Sequence, residues 1–158
     1  MNLVTKLYNV CKSNNLTIAT AESCTSGLIS STICSISGAS SIFKGGIIAY
    51  QDIIKINQLG IPKALIEKET SVCIEVAKKM AENSLKIFKS DYSISSTGYT
   101  GPNGGNNKYP IGTVFIAISN KKETYVKHFF LTGSRESVVN QVVQNAIQLL
   151  IIQIKKNQ

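Results

Sequence analysis

The chain reads as an α/β protein: a three-layer α/β/α sandwich on a mixed, mostly parallel sheet of about five strands. Three observations predict this. Short apolar runs alternate with helical patterns from residue 2 to residue 96, as strands joined by crossover helices do. Two later runs are separated only by Asn120-Lys121-Lys122, a hairpin connection that brings in one antiparallel strand. Apolar residues make up 43% of the 158 residues and charged residues 16%, which suits one domain with a packed core and argues against disorder.

The elements follow in order. Asn2 to Asn14 places Leu3, Val4, Leu7, Tyr8 and Cys11 at helical spacing. Leu16 to Ala21 is a strand, and Thr25 to Ile36 a helix with Leu28, Ile29, Ile33 and Ile36 inward. Gly45 to Tyr50 is a strand after a Gly45-Gly46 break. Asp52 caps a short helix to Leu59, and Pro62 opens another helical turn. Ser71 caps a long helix to Phe88, with Val72, Val76, Met80 and Ile87 among its apolar positions. Asp91 to Ser96 is the third strand. Gly98 to Pro110 is a loop with four glycines and two prolines. Ile111 to Ser119 and Glu123 to Leu131 form the hairpin, and Gly133-Ser134 leads into a helix ending near Lys155. Val138, Val139, Val142, Val143, Ile147, Leu149, Leu150, Ile151 and Ile154 cover well over half of that helix. So wide a face suits the sheet, and also a second subunit. No repeat or linker divides residues 1–158, so a single domain is expected.

Several function classes recede. The amino terminus lacks the apolar core of a signal peptide, and no apolar run reaches the ~18 residues of a membrane span, so a cytoplasmic protein is expected. The four cysteines, Cys11, Cys24, Cys34 and Cys73, form no C-x-x-C pair, and His128 is the single histidine. No metal site is expected from that set. The net charge is +8, but 16 of the 17 basic residues are scattered lysines. With no nucleic-acid motif, direct nucleic-acid binding is not expected. The excess suits an anionic small substrate, and Arg135, the only arginine, is a candidate phosphate or carboxylate ligand.

Residues 20–27, Thr-Ala-Glu-Ser-Cys-Thr-Ser-Gly, stand where a strand runs through a tight turn into a helix. Such a turn offers a hydroxyl and unpaired N–H groups at one point. Ser23 is either a cap or a nucleophile, and a nucleophile needs a base. His128 lies within the last strand, which supports a Ser-His-Asp triad poorly. Cys24 is a second candidate nucleophile with no histidine near it in sequence; otherwise it is a buried thiol. Tyr50 ends a strand and Lys55 follows five residues on. A lysine is a base only when neutral, which needs burial or a neighbouring cation; the alternative is a solvated lysine beside an edge-packing tyrosine. In the loop after the third strand, Thr97, Gly98, Gly101, Gly104 and Gly105 allow close backbone approach to an anion. Neither a Walker loop nor a G-x-G-x-x-G spacing is present. Ser23, Tyr50 and Thr97-Gly98 all follow strand ends, where α/β sheets gather ligands.

Ala21-Glu22-Ser23-Cys24-Thr25, Gly38-Ala39-Ser40, Gly46-Ile47-Ile48-Ala49-Tyr50, Lys55, Gly98, Gly101-Pro102 with Gly104-Gly105, and Pro110-Ile111-Gly112-Thr113 occur in this order. Together they closely resemble the carboxyl-terminal domain of the competence/damage-inducible CinA family, from about Leu3 to Leu150. The resemblance implies a three-layer fold, a stand-alone form of the domain, and homodimers or higher homo-oligomers. It implies a nicotinamide-nucleotide amidohydrolase, which converts nicotinamide mononucleotide and water to nicotinate mononucleotide and ammonia without a metal or organic cofactor. In that mapping Ser23 is the nucleophile, Lys55 assisted by Tyr50 moves the proton, and N–H groups near Thr25 and Ser26, beside Gly27, hold the oxyanion. The chain departs from the family pattern at Ser26 (usually glycine), at Gln51-Asp52-Ile53-Ile54 (usually Ser-Asn-Glu-Ala), at Tyr99-Thr100 (usually Ile-Ala), at Tyr109 (commonly lysine), and at Val139, where a second basic residue is usual. The alternative is a nucleotide-binding protein with weak or no turnover.

Overall fold

The computed structural model describes residues 1–158. Its elements are α1 Leu3–Ser13, β1 Ile18–Glu22, α2 Leu28–Cys34, β2 Phe43–Ile48, α3 Asp52–Leu59, α4 Lys63–Glu69, α5 Ile74–Phe88, β3 Tyr92–Gly98, β4 Thr113–Asn120, β5 Thr124–Phe130 and α6 Arg135–Lys156, with a 3₁₀ turn at Ala39–Ser41. One five-stranded sheet has the order β2-β1-β3-β4-β5. β1 pairs in parallel with β2 and with β3, and β4 is antiparallel to both its neighbours. Only β4 therefore runs against the rest.

The two faces of the sheet differ in side-chain size, and this sets how closely the helices approach. Ile18, Ile94, Val114, Ile116 and Ile118 meet Leu7 and Cys11 of α1, Ile29 and Ile33 of α2, and the apolar side of α6. The opposite face presents Ala21, Ala117, Ser93 and Ser95 where α5 crosses β1, β3 and β4, all fully buried, with Phe115 of β4 as a large exception. There α5 lies close enough for Ser95 Oγ to donate to the Ala77 carbonyl at 2.6 Å. Each fully buried Val, Leu or Ile contributes about 1.5–3 kcal/mol, so α6, with seven such residues buried between Val138 and Ile151, is a main source of stability.

That burial accounts for the wide apolar face of α6: it packs against the sheet, α1 and α2 of its own chain, and Ile152 is its one large apolar residue left half exposed. α6 is long and apolar enough to cross a membrane by length and composition, yet 56% of its most apolar 18-residue window is buried within this fold.

Several boundaries differ from the sequence reading: β2 runs Phe43–Ile48 rather than Gly45 to Tyr50, which leaves Tyr50 two residues past the strand, and β4 starts at Thr113 rather than Ile111. α2 starts at Leu28 rather than Thr25, because Ser26 (φ 45°) and Gly27 (φ 97°) are both left-handed and cannot continue a right-handed helix. Gln51 rather than Asp52 is the cap of α3, and Asp52 falls in the first turn. Cys73 rather than Ser71 caps α5; the Ser71 carbonyl instead accepts from Thr97 Oγ1 at 2.8 Å.

Candidate active site

β1 and β2 end level, Glu22 pairing with Ile48, and β3, paired with Glu22 at Ser96, runs two residues further to Gly98. The residues just beyond enclose a cavity of about 210 Å³ lined by Ser23, Cys24, Tyr50, Lys55, Ser71, Val72, Thr97, Gly98, Tyr99, Thr100, Asn103 and Arg135. Wider depressions along α6 (about 520 Å³) and beside the β4–β5 turn (about 570 Å³) are more open and lined by no buried ionisable side chain.

Ser23 is 8% exposed. Its N–H donates to the Ser96 carbonyl at 2.9 Å, which extends the β1–β3 pairing one residue and fixes the start of the turn. Its Oγ has no hydrogen-bond partner within the protein and faces the cavity. Within the turn, Ser26 N–H donates to the Ser23 carbonyl at 3.1 Å, and Leu28 N–H to the Thr25 carbonyl at 2.9 Å. Glu22, fully buried, takes most of the rest. Its Oε2 accepts from Thr25 Oγ1 (2.6 Å), Gly27 N–H (3.1 Å) and Ile29 N–H (2.9 Å), and its Oε1 from Ser30 N–H (2.8 Å) and Ser30 Oγ (2.6 Å). Thr25 Oγ1 also lies 2.7 Å from Ser96 Oγ. Only the N–H groups of Cys24 and Thr25 keep no protein acceptor.

Lys55 is 1% exposed although it belongs to the first turn of α3. Its Nζ donates to the Tyr50 carbonyl at 3.1 Å and to Asp52 Oδ1 at 3.4 Å. Burial pulls its pKa below the ordinary lysine value, and the Asp52 carboxylate opposes that shift. The Tyr50 phenol is half exposed and is not the group bonded to Lys55; its oxygen accepts from Arg135 Nη2 at 2.8 Å. Arg135 Nη1 donates to the Gly101 carbonyl at 2.7 Å. Arg135 makes no ion pair, so its charge is free for an anion.

The structure brings Ser23, Tyr50, Lys55, Thr97, Gly98 and Arg135 to one cavity. It does not bring the other anticipated contacts there. The Thr25 hydroxyl and the Gly27 N–H are committed to Glu22, the Ser26 N–H is committed to the Ser23 carbonyl, and of the Thr25 donors only the N–H stays unclaimed. Gly101 meets the site only through its carbonyl on Arg135. Gly104 and Gly105 line a separate open depression with Asn106, Pro110 and Ile111. Gly98 is required by packing rather than by a ligand: a Cβ there would stand 2.7 Å from the Thr113 carbonyl oxygen. Ser26, with φ 45°, occupies a backbone position glycine adopts more cheaply, which accounts for the glycine usual there in the resemblance; the serine of this chain has no structural explanation.

Burial pushes the Cys24 thiol up to about 12, so it is neutral near pH 7 and serves as wall rather than nucleophile. The exposed His128 ring stacks on Phe115 at 4.7 Å and does not line the cavity. Sequence reading passed over Glu22, Ser71, Val72, Thr100 and Asn103. For Glu22 a signal existed: an acid ending an apolar strand, followed by small residues and a helix.

The CinA C-terminal domain family model matches residues 1–154. The chain belongs to the CinA family. It is 42% identical over 142 residues to a CinA-like protein of Flavobacterium psychrophilum, covering 90% of this chain and 34% of that one. It is 40% identical over 144 residues to a CinA-like protein of Fervidobacterium nodosum, covering 91% and 35%. The chain thus spans about a third of the length of the curated relatives it matches. Among solved structures, the competence damage-inducible protein A of Klebsiella pneumoniae superposes with TM-score 0.96 at 26% identity, over 99% of this chain and 97% of that one. A CinA superfamily protein of Escherichia coli gives TM-score 0.92 at 32% identity, over 96% and 88%. The CinA fold is therefore the observed one, including its mixed, mostly parallel sheet.

Proposed function

We propose that this CinA domain, folding as one unit over residues 1–158, is an amidohydrolase for nicotinamide mononucleotide that uses Ser23 as nucleophile and Lys55 as base. The observation that carries the reading is the meeting of a partnerless serine hydroxyl with a fully buried lysine at one cavity. Neutral Lys55 takes the Ser23 proton as Oγ bonds to the carboxamide carbon. The oxyanion sits on the free N–H groups of Cys24 and Thr25. Protonated Lys55 gives its proton to the departing nitrogen, and ammonia leaves. Water then adds to the acyl ester as Lys55 takes its proton, the C–Oγ bond breaks as Lys55 passes that proton to Ser23 Oγ, and nicotinate mononucleotide leaves as its carboxylate after losing a proton to solvent.

At about 210 Å³ the cavity is smaller than the ~300–1,000 Å³ that encloses a drug-sized ligand. It suits the carboxamide ring, with ribose and phosphate at the open rim where Arg135 carries an unpaired charge. Tyr50 acts there through Arg135, orienting the guanidinium. The test is ammonia release from nicotinamide mononucleotide by the wild type and by Ser23→Ala. Turnover by the wild type that Ser23→Ala abolishes supports the assignment; equal rates sink it.

A second reading is favoured by one observation: Lys55 Nζ is bonded to Tyr50 and Asp52 and makes no hydrogen bond to Ser23. On that reading the domain holds the nucleotide without hydrolysing it. Binding of nicotinamide mononucleotide in calorimetry with no ammonia from the wild type would select it.

A further inference from the structure

We propose that Glu22 is a positioning residue that shapes the nucleophile turn and keeps the Cys24 and Thr25 N–H groups free for a tetrahedral oxyanion; the catalytic part of this rests on the reading of Ser23 as a nucleophile. Glu22 is fully buried and forms no ion pair. A buried carboxylate without a cation is costly unless hydrogen bonds replace its water. Here five do, all between 2.6 and 3.1 Å.

Their distribution is selective. Three of the five donors are the N–H groups of Gly27, Ile29 and Ser30 at the start of α2. These are the groups that a helix start would otherwise turn toward an anion. With them occupied, the only unclaimed donors of the turn are the two next to Ser23. The carboxylate also grips Thr25 Oγ1, which reaches on to Ser96 Oγ at 2.7 Å, while the Ser96 carbonyl holds the Ser23 N–H at 2.9 Å. Both ends of the Ser23–Thr25 segment are thus tied to one scaffold, in a turn that carries left-handed strain at Ser26. Release of that scaffold lets the turn relax and moves the donors relative to Oγ.

Glu22→Gln tests this. Its amide places an NH₂ against donors, breaking two or three of the five bonds while keeping shape. We expect kcat for nicotinamide mononucleotide hydrolysis to fall by about 10²-fold, the scale of a donor displaced by ~1 Å, with KM within about twofold. Ser30→Ala removes one of the five bonds and is expected to give a smaller kcat loss with KM again held. A fluorophosphonate probe that phosphonylates Ser23 and releases fluoride provides a second readout. Its labelling rate should fall in the same order, wild type, Ser30→Ala, Glu22→Gln. If the wild type is labelled in a Glu22-dependent way but releases no ammonia, the positioning role stands and the substrate assignment fails. If folded Glu22→Gln keeps wild-type kcat or labelling, or if KM rises while kcat holds, the positioning role is overturned. Absence of labelling in the wild type overturns it together with the Ser23 reading. Should Glu22→Gln not fold, Ser30→Ala decides alone: wild-type kcat and labelling there overturn the proposal.

Discussion

Lys55→Met separates a lysine kept for structure from one kept for chemistry. The Lys55 ammonium is buried and has two acceptors, the Tyr50 carbonyl at 3.1 Å and Asp52 Oδ1 at 3.4 Å. A hydrogen bond to a charged group contributes about 1.5–3 kcal/mol, and the Asp52 contact counts at the low end because that carboxylate is half exposed and screened by water. Against these stands the desolvation of an ammonium, still several kcal/mol after relaxation. Methionine has nearly the same length and opens no cavity. The substitution should leave stability unchanged or raise it by up to about 2 kcal/mol. In a chain of this size about 1 kcal/mol moves Tm by roughly 2–4 °C, so the rise is at most about 8 °C. Turnover should fall by about 10²–10⁴-fold, the contribution of a general base.

The pH dependence gives the sign independently. Burial lowers the Lys55 pKa in the folded protein, while the unfolded chain titrates near ~10.4. Between those two values the unfolded state binds the extra proton, so wild-type stability rises with pH through that window. Below the folded value the full penalty of a buried ammonium is present. The advantage of Lys55→Met should therefore be largest at the acid end of that window and shrink as pH rises towards the unfolded value of ~10.4. Thermal melts over that range, run beside the ammonia assay, read both quantities. A Tm several degrees below wild type at every pH would make Lys55 structural, and retained turnover would remove it as the base.

Ser23→Ala should keep Tm within about 1–2 °C, since an Oγ without a protein partner contributes under about 0.5 kcal/mol. It should still bind nicotinamide mononucleotide in calorimetry while losing turnover. Arg135→Gln loses the charge-assisted bonds to Tyr50 and Gly101 and the free cation. We expect KM for nicotinamide mononucleotide to rise roughly 10–100-fold, with little change for the riboside that lacks phosphate; equal effects on both would exclude phosphate contact. With maleimide at about pH 8, exposed Cys34 should react first. Cys11 and Cys24, whose thiols burial pushes up to about 12, should stay unlabelled until denaturant is added. Prompt labelling of Cys24 in the native protein would contradict the closed turn.

The layers of this fold are legible because each depends on local periodicity. Apolar spacing located the strands and most of the helices, Pro62 marked the start of α4, and the short 120–122 connection located the hairpin. The boundaries that moved did so for backbone reasons that composition does not carry: Ser26 adopts φ 45° without being glycine, and Cys73 caps α5 with no side-chain bond. Ser23, Tyr50 and Thr97-Gly98 were legible as strand-end residues, because the carboxyl ends of parallel strands share an edge, and Lys55 as a residue one turn into the helix that follows. Their bonding was not. That Lys55 reaches the Tyr50 carbonyl is set by the local turn into α3, whereas the bond between the phenol and Arg135 is a long-range fact decided by where α6 begins. The glycine loop misled for a related reason. Glycine marks tight backbone, and at Gly98 the tight neighbour is β4 rather than a ligand.

The single antiparallel strand makes the site complete. From β1 the chain passes through α2 to β2 on one side, then returns through α3, α4 and α5 to β3 on the other, so the connections reverse at β1. Such a reversal opens a crevice at the strand ends, and Ser23, Lys55 and Thr97 come from its three sides. Arg135 has no place in that scheme without β4. Because β4 runs backwards, β5 runs forwards again and ends at the same edge as β1. α6 starts five residues later, with Arg135 as its first residue. The pairings Gly98↔Val114 and Thr113↔Phe130, continued by Leu131 N–H donating to the Gly112 carbonyl at 2.8 Å, set how far β5 extends. A slip of one residue in that hairpin would carry Arg135 about 3.3 Å along the strand axis and turn the β5 side chains to the opposite face. The guanidinium would then lose Gly101 and Tyr50, each now held at 2.7–2.8 Å. The hairpin thus fixes an anion ligand as well as an edge of the sheet.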